Sequence, residues 1–271
     1  MSTIDTGTDE LLAEINDGVA VITMNRPERR NAFSPTLIEA LGRVLADVEI
    51  DDNVGAVVLT GAGGAFCAGG DVKMMAEGAY AGSAPIDTLI NGQRINQRAT
   101  SGKLWSMLKP TIAMIPGAAA GAGLSLALAC DLRYASDNAI FTTAFARVGF
   151  SGDYGGTWFL TRLIGSAKAK ELYFFSEKLN AAQALELGII NGVYDADSLR
   201  DEVMAKASQL ANGPRIALRY MKENLNRAVL TEFEQCSDLE TTHHVHTATT
   251  DDHREAALAF VEKREPKFQG H

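Results

Sequence analysis

At 271 residues the chain has room for one large α/β domain, with or without a smaller helical appendage. Its 46% hydrophobic and 22% charged residues match an ordinary soluble composition, and a formal net charge of −9 argues against a nucleic-acid or anionic-membrane surface. Three cysteines at unrelated spacings (Cys67, Cys130, Cys236) speak against a disulfide framework and for a reducing, cytoplasmic setting, and no CxxC or other zinc pattern occurs.

The N-terminal stretch carries acidic residues without a basic flank, unlike a signal peptide. Gly18 to Asn25 reads as a β-strand ended by Arg26-Pro27. Arg26, Arg29 and Arg30 cluster next, and the pattern reads as a solvated turn. Ser34-Pro35 is an N-cap followed by proline at N1. Leu37, Ile38, Leu41, Val44, Leu45 and Val48 then mark one face of a helix. Gly55 to Thr60 is a second, buried strand.

Between Gly61 and Lys73, five of thirteen residues are glycine, so bare backbone must approach something closely. Asp71 reads as the N-cap of a helix beginning at Val72, and Cys67 as a small buried filler. Residues 75–86 are rich in alanine, glycine and serine and read as a mobile loop. Leu89 to Leu108 predicts one long helix, and Thr111 to Ile115 a third strand. A second glycine-rich turn, Pro116 to Gly123, precedes a helix expected over Leu124 to Ala129. The run Ile112 to Cys130 is too broken by proline and glycine to span a membrane.

Short strands are expected over Asp131 to Ala135 and Ala139 to Thr143. An irregular loop from Phe145 to Gly156 carries one carboxylate, Asp153, which could instead cap the following helix. Helices are expected over 157–164, 167–175, 181–187, 198–211, 214–228, 231–247 and 251–263, so an α/β first half leads into a helical C-terminal part. His243, His244 and His246 read first as a polar helix surface or subunit contact, with metal binding as the weaker alternative.

Neither glycine turn has dinucleotide spacing or a Walker lysine. GxSxG is absent, and every histidine lies at 243 or beyond, which disfavours a serine hydrolase. Two backbone turns and one carboxylate can, however, hold an enolate. Backbone N–H donors stabilise the oxygen that gains charge, and the carboxylate moves the proton.

With these parts in hand the chain resembles the crotonase superfamily of enoyl-CoA hydratases and isomerases. The matching segments are Asn25-Arg-Pro with Asn31-Ala32, Ala65 to Asp71, Ala118 to Gly123 and Asp131 to Ala135. Gly155 to Thr157 with Leu163-Ile-Gly165, Ala184 to Gly188 and the tail Glu255 to Gly270 match as well. The resemblance implies a ββα spiral core over 1–197 and a helical trimerisation region over 198–271, assembled as a homotrimer or a dimer of trimers. It implies oxyanion donors at the N–H groups of Gly70 and Ala122, with Asp153 as the proton carrier. Ala68, Gly70, Asp71, Val72 and Lys73 would line the thioester and pantetheine pocket. Arg30, Phe260 and Lys263 would approach the nucleotide end, and Phe145 would keep the pocket apolar.

The two glutamate positions of the family's hydratases hold Ser125 and Phe145 here. The resemblance therefore points to an acyl-CoA isomerase, most like the phenylacetate-pathway ring-epoxide and Δ3,Δ2-enoyl-CoA isomerases. The alternatives are an enoyl-CoA hydratase and a non-catalytic acyl-CoA-binding subunit. No cofactor is expected beyond the coenzyme A carried by the thioester substrate.

Overall fold

The computed structural model describes residues 2–78 and 84–271. Of the loop expected over 75–86, residues 79–83 lie outside the described residues.

Eleven strands form two sheets among the described residues. They are β1 Ser2–Thr3, β2 Leu11–Asn16, β3 Val19–Met24, β4 Ala56–Gly61, β5 Ala65–Cys67, β6 Thr111–Ile115, β7 Ala118–Ala120, β8 Leu132–Ser136, β9 Ile140–Thr142, β10 Leu179–Asn180 and β11 Gly192–Tyr194. The larger sheet runs β1-β2-β3-β4-β6-β8-β11, and the smaller β10-β9-β7-β5. From β3 to β11, and from β5 to β9, neighbours pair in parallel.

Helix α1 spans Pro35–Ile50 and α2 spans Val72–Ala76, followed by α3 Ile86–Gln97, α4 Lys103–Ser106 and α5 Ala122–Leu128. Then come α6 Gly156–Ile164, α7 Ser166–Phe175, α8 Ala181–Glu186, α9 Leu199–Ala211, α10 Arg215–Ala228, α11 Phe233–Thr247 and α12 Asp251–Glu262. The units β4-β5, β6-β7 and β8-β9 each send one strand to each sheet before the chain turns helical. This is the crotonase-type ββα spiral with its helical C-terminal region.

Both faces of the parallel strands are covered, which explains their unbroken apolar character. Ile22, Val57, Leu59, Ala113 and Ile115 join the main core with α1 and α5. Val19, Val21, Val58 and Ile112 face the other way, against Leu199, Val203, Ala207 and Ala211 of α9. The expected stripe of α1 is buried throughout, and Ser34 Oγ accepts a hydrogen bond from Leu37 N at 3.0 Å.

The helix expected as one piece over 89–108 is interrupted. It opens at Ile86, passes through a π-helical turn at Arg98–Gly102 and ends at Ser106. Thr100 and Ser101 hydroxyls donate back to the carbonyls of Asn96 and Gln97, competing with the helical ladder at the widened turn. Helix α5 begins two residues before the expected Leu124, which makes Ala122 its first residue. No helix among the described residues is long and apolar enough to cross a membrane.

Candidate active site

The C-terminal ends of the parallel strands β5, β7 and β9 lead into three successive loops. They lead to Gly70, to Ala122 at the start of α5, and to Asp153 respectively. Ligand clefts of parallel sheets form at that end. The three residues line one cleft of about 420 Å³, together with Phe33, Ile38, Met75, Phe150 and Tyr154. Gln93, Asn96 and Gln97 from α3 add polar groups, and Asp153 is the one carboxylate among the described lining residues. A larger depression of about 710 Å³ lies against β2 and β3, but neither glycine-rich turn reaches it.

The two glycine-rich turns are built by close backbone approach. Ala122 is the first residue of α5, so its N–H has no acceptor inside the helix. Gly121 before it holds φ +52° and ψ −126°, a conformation suited to glycine. Gly69, at φ +87°, packs so closely that a Cβ there would come within 2.7 Å of Ala120 O and 3.1 Å of Ala122 N. A Cβ on Gly123 would come within 2.3 Å of Cys67 O. The two turns are thus nested, each requiring the other's bare backbone. Among the described residues, neither Gly70 N–H nor Ala122 N–H donates to a main-chain acceptor.

Cys67 belongs to this scaffold. Its thiol donates to Asn31 O at 3.0 Å, its sulfur accepts from Gly69 N at 3.3 Å, and burial pushes its pKa up to about 12. Asp71 caps α2, accepting from Met74 N at 3.3 Å.

Asp153 does not cap α6, whose N-cap Gly155 makes no side-chain bond. Its Oδ1 is buried without a hydrogen-bond partner among the described residues, and burial raises its pKa from the usual carboxylate range to about 6. Phe145 lies behind the cleft, buried and stacked on Tyr173 with ring centroids 5.8 Å apart. It is not among the residues lining the cleft. The Tyr173 phenol is held protonated by burial and by the nearby Asp153 charge, partly offset by a hydrogen bond with Ser125. The positions that would hold two glutamates therefore hold a buried hydroxyl and an aromatic ring.

The other expected ligand residues are spread more widely. Ala68 donates its N–H to Arg30 O at 2.9 Å, so the Arg30 loop is joined to the first turn. Val72 and Lys73 are exposed on α2 beside the cleft's Gly70. Phe260 is 85% exposed on α12 and Lys263 terminates that helix, and neither lines the cleft. His243 is buried against Tyr220 at 4.0 Å between ring centroids, with Nδ1 2.6 Å from Asn224 Oδ1. The described residues contain no cluster of three metal-ligating side chains.

Arg26 corrects the expectation of a solvated arginine turn. Arg29 and Arg30 are exposed, but the Arg26 side chain is only 11% exposed and pairs with Glu10 and Asp71. Neither Arg26 nor Tyr173 stands out as a site residue in the sequence, because their partners lie far away along the chain.

Strand pairs divided between two sheets, with glycine turns opening on one cleft, define a crotonase-type enzyme fold. The enoyl-CoA hydratase/isomerase family profile matches residues 14–271. The chain is 36% identical over 260 residues to 1,2-epoxyphenylacetyl-CoA isomerase of Escherichia coli K12, covering 96% of this chain and 98% of that protein. It is similar to the crystal structure of an enoyl-CoA hydratase from Bacillus anthracis, with TM-score 0.89, 30% identity and coverage of 97% and 100% of the two chains. An enoyl-CoA hydratase structure from Polaromonas sp. JS666 gives TM-score 0.89 at 32% identity, with coverage of 96% and 99%. The chain belongs to the enoyl-CoA hydratase/isomerase family.

Proposed function

We propose that the protein is an acyl-CoA isomerase working through a thioester enolate. The observation that carries this reading is the lone, desolvated Asp153 in a cleft shared with the Gly70 and Ala122 amides. The two amides hold the thioester oxygen. The Asp153 carboxylate removes a proton from the α-carbon, and the electron pair moves onto that oxygen. For a β,γ-unsaturated substrate the resulting acid returns the proton to the γ-carbon, leaving an α,β double bond. Oxyanion donors of this kind contribute about 3 kcal/mol each, and a general base roughly two to four powers of ten in rate. The pKa near 6 leaves the carboxylate ionised at neutral pH yet basic enough to accept a carbon-bound proton transiently.

Ser125 and Phe145 argue against efficient hydration, which needs a carboxylate to activate water and another group to deliver its proton. The similarity to a 1,2-epoxyphenylacetyl-CoA isomerase supports ring-epoxide thioesters as a second substrate class. Arg30, Lys73, Phe260 and Lys263 are proposed to hold the coenzyme A portion. Exposed Met221, Leu225, Phe233, Phe260 and Val261 support a homotrimeric or hexameric assembly through the helices of 198–271. A cytoplasmic location remains part of the same proposal.

Purified protein should convert a β,γ-enoyl-CoA to its α,β isomer, followed by the rise in ultraviolet absorbance of the conjugated thioester. It should add water to crotonyl-CoA at least about a hundredfold more slowly, the factor expected from losing a general acid–base pair. Hydration outpacing isomerisation would overturn the assignment in favour of a hydratase.

A further inference from the structure

We propose that Arg26 is a positioning residue for the Gly70 amide, and this rests on the oxyanion reading of that amide. A short chain of charged groups joins the segments beside the cleft. Arg26 Nε lies 3.4 Å from Glu10 Oε1, and Arg26 Nη2 lies 3.5 Å from Asp71 Oδ2. Arg26 Nη1 donates to Ala32 O. The guanidinium therefore bridges two carboxylates and a carbonyl in three directions, which the compact ammonium of lysine cannot do from one site.

Each partner fixes an element beside the cleft. Asp71 follows Gly70 directly, is 4% exposed and caps α2 through Met74 N. The other oxygen of Glu10 accepts from Ser34 Oγ, the hydroxyl that caps α1. Ser34 and Gly70 both line the cleft. Main-chain bonds complete the clasp: Ala68 N to Arg30 O at 2.9 Å and Phe33 N to Gly69 O at 2.7 Å. Asn31 adds bonds to Ala62 O and Ala65 O, both 2.9 Å. Segment 26–34 is thus bound to segment 62–71 along its length, and Arg26 holds the end at which Gly70 presents its N–H.

The direction of an oxyanion donor matters more than its presence, since a misplacement of about 1 Å can cost roughly a hundredfold in rate. Loss of Arg26 leaves Asp71 buried without its cation, so the cap and the amide before it move together.

The test compares wild type, Arg26→Met, Arg26→Lys and Asp71→Asn by infrared difference spectroscopy of bound phenylacetyl-CoA carrying ¹³C at the thioester carbonyl. Isomerase kinetics are measured on the same samples. In wild type the carbonyl band moves to lower frequency on binding. In Arg26→Met most of that shift is lost and kcat falls roughly a hundredfold, while Kd changes less than about threefold. Arg26→Lys recovers the shift only in part. Asp71→Asn keeps the cap but loses the charge, and serves if Arg26→Met does not fold, with the same loss of shift expected. A full wild-type shift and kcat in Arg26→Met, or in Asp71→Asn, overturns the role of Arg26 and leaves the oxyanion reading standing. A wild-type protein that binds the thioester without any shift overturns both.

Discussion

Replacing Asp153 by asparagine should reduce kcat for isomerisation by about three powers of ten, while the affinity for acyl-CoA stays within a few-fold of wild type. The amide keeps the volume and polarity of the side chain but cannot accept the proton. The same variant should be more stable than wild type above pH 6. Burial raises the folded-state pKa of Asp153 from 3.8 to about 6. Below the unfolded value the carboxyl is protonated in both states, and its stabilising contribution is fully present. That contribution is lost as pH rises through the folded value, because the folded state must then bury a charge. At pH 8 the asparagine variant should gain about 3 kcal/mol, near 8 °C in melting temperature, and at pH 4 less than about 1 kcal/mol. Melting curves at the two pH values, with steady-state kinetics, check both halves. A variant that loses activity and also melts lower at pH 8 would make Asp153 a structural residue.

The second large effect is expected at Gly123. Alanine normally favours a helix over glycine by about 1 kcal/mol. Here the added Cβ would sit 2.3 Å from Cys67 O and 2.7 Å from Cys67 Cβ, so the backbone of one turn must move away from the other. Overpacking of this kind outweighs the propensity gain, and Gly123→Ala should lose about 3 kcal/mol and roughly 8 °C. The same displacement separates the Gly70 and Ala122 amides, so kcat should fall about a hundredfold. Gly92 in α3 provides the control, since nothing lies within 4 Å of a Cβ there. Gly92→Ala should be neutral or slightly stabilising by thermal melting and leave the kinetics unchanged. If the two alanine variants behave alike, the nested-turn account of the site fails.

Much of this architecture is legible in the sequence where physics is local. The C-terminal helices fall within two residues of their expected starts, because apolar periodicity and terminal residues report on a helix by themselves. Strands β4 and β6 are equally plain, being apolar on both faces. The cap at Asp71 follows from its place before Val72. Strands β5 and β7 are not legible. Three residues each, and all alanine in β7, they carry no alternation and are strands only through their pairing in the smaller sheet, β5 with β7 and β7 with β9. For the same reason the start of α5 at Ala122 is hidden. Small residues allow several helix starts, and the close packing of Gly69 and Gly123 selects one.

The site shows the same division. The two glycine-rich turns and the lone loop carboxylate Asp153 are visible in one dimension, but the roles expected of Gly70, Ala122 and Asp153 come from the family resemblance. The burial of Arg26 depends on Glu10 and Asp71, sixteen and forty-five residues away, and an arginine beside two others reads as solvated until those partners are seen. Tyr173 sits in a helix with no distinctive pattern. Only the fold stacks it on Phe145 and brings its hydroxyl to Ser125.

An enolate held in the cleft, with Asp153 moving the proton, must leave a trace at the α-carbon. Proton NMR of an acyl-CoA incubated with the enzyme in D₂O tests this directly, whichever acyl group is the natural one. Wild type should replace the α-proton by deuterium, and Asp153→Asn should bind the same thioester with exchange slowed about a thousandfold. A wild-type protein that binds the thioester and leaves the α-proton in place, or an asparagine variant that exchanges it at the wild-type rate, would contradict the account.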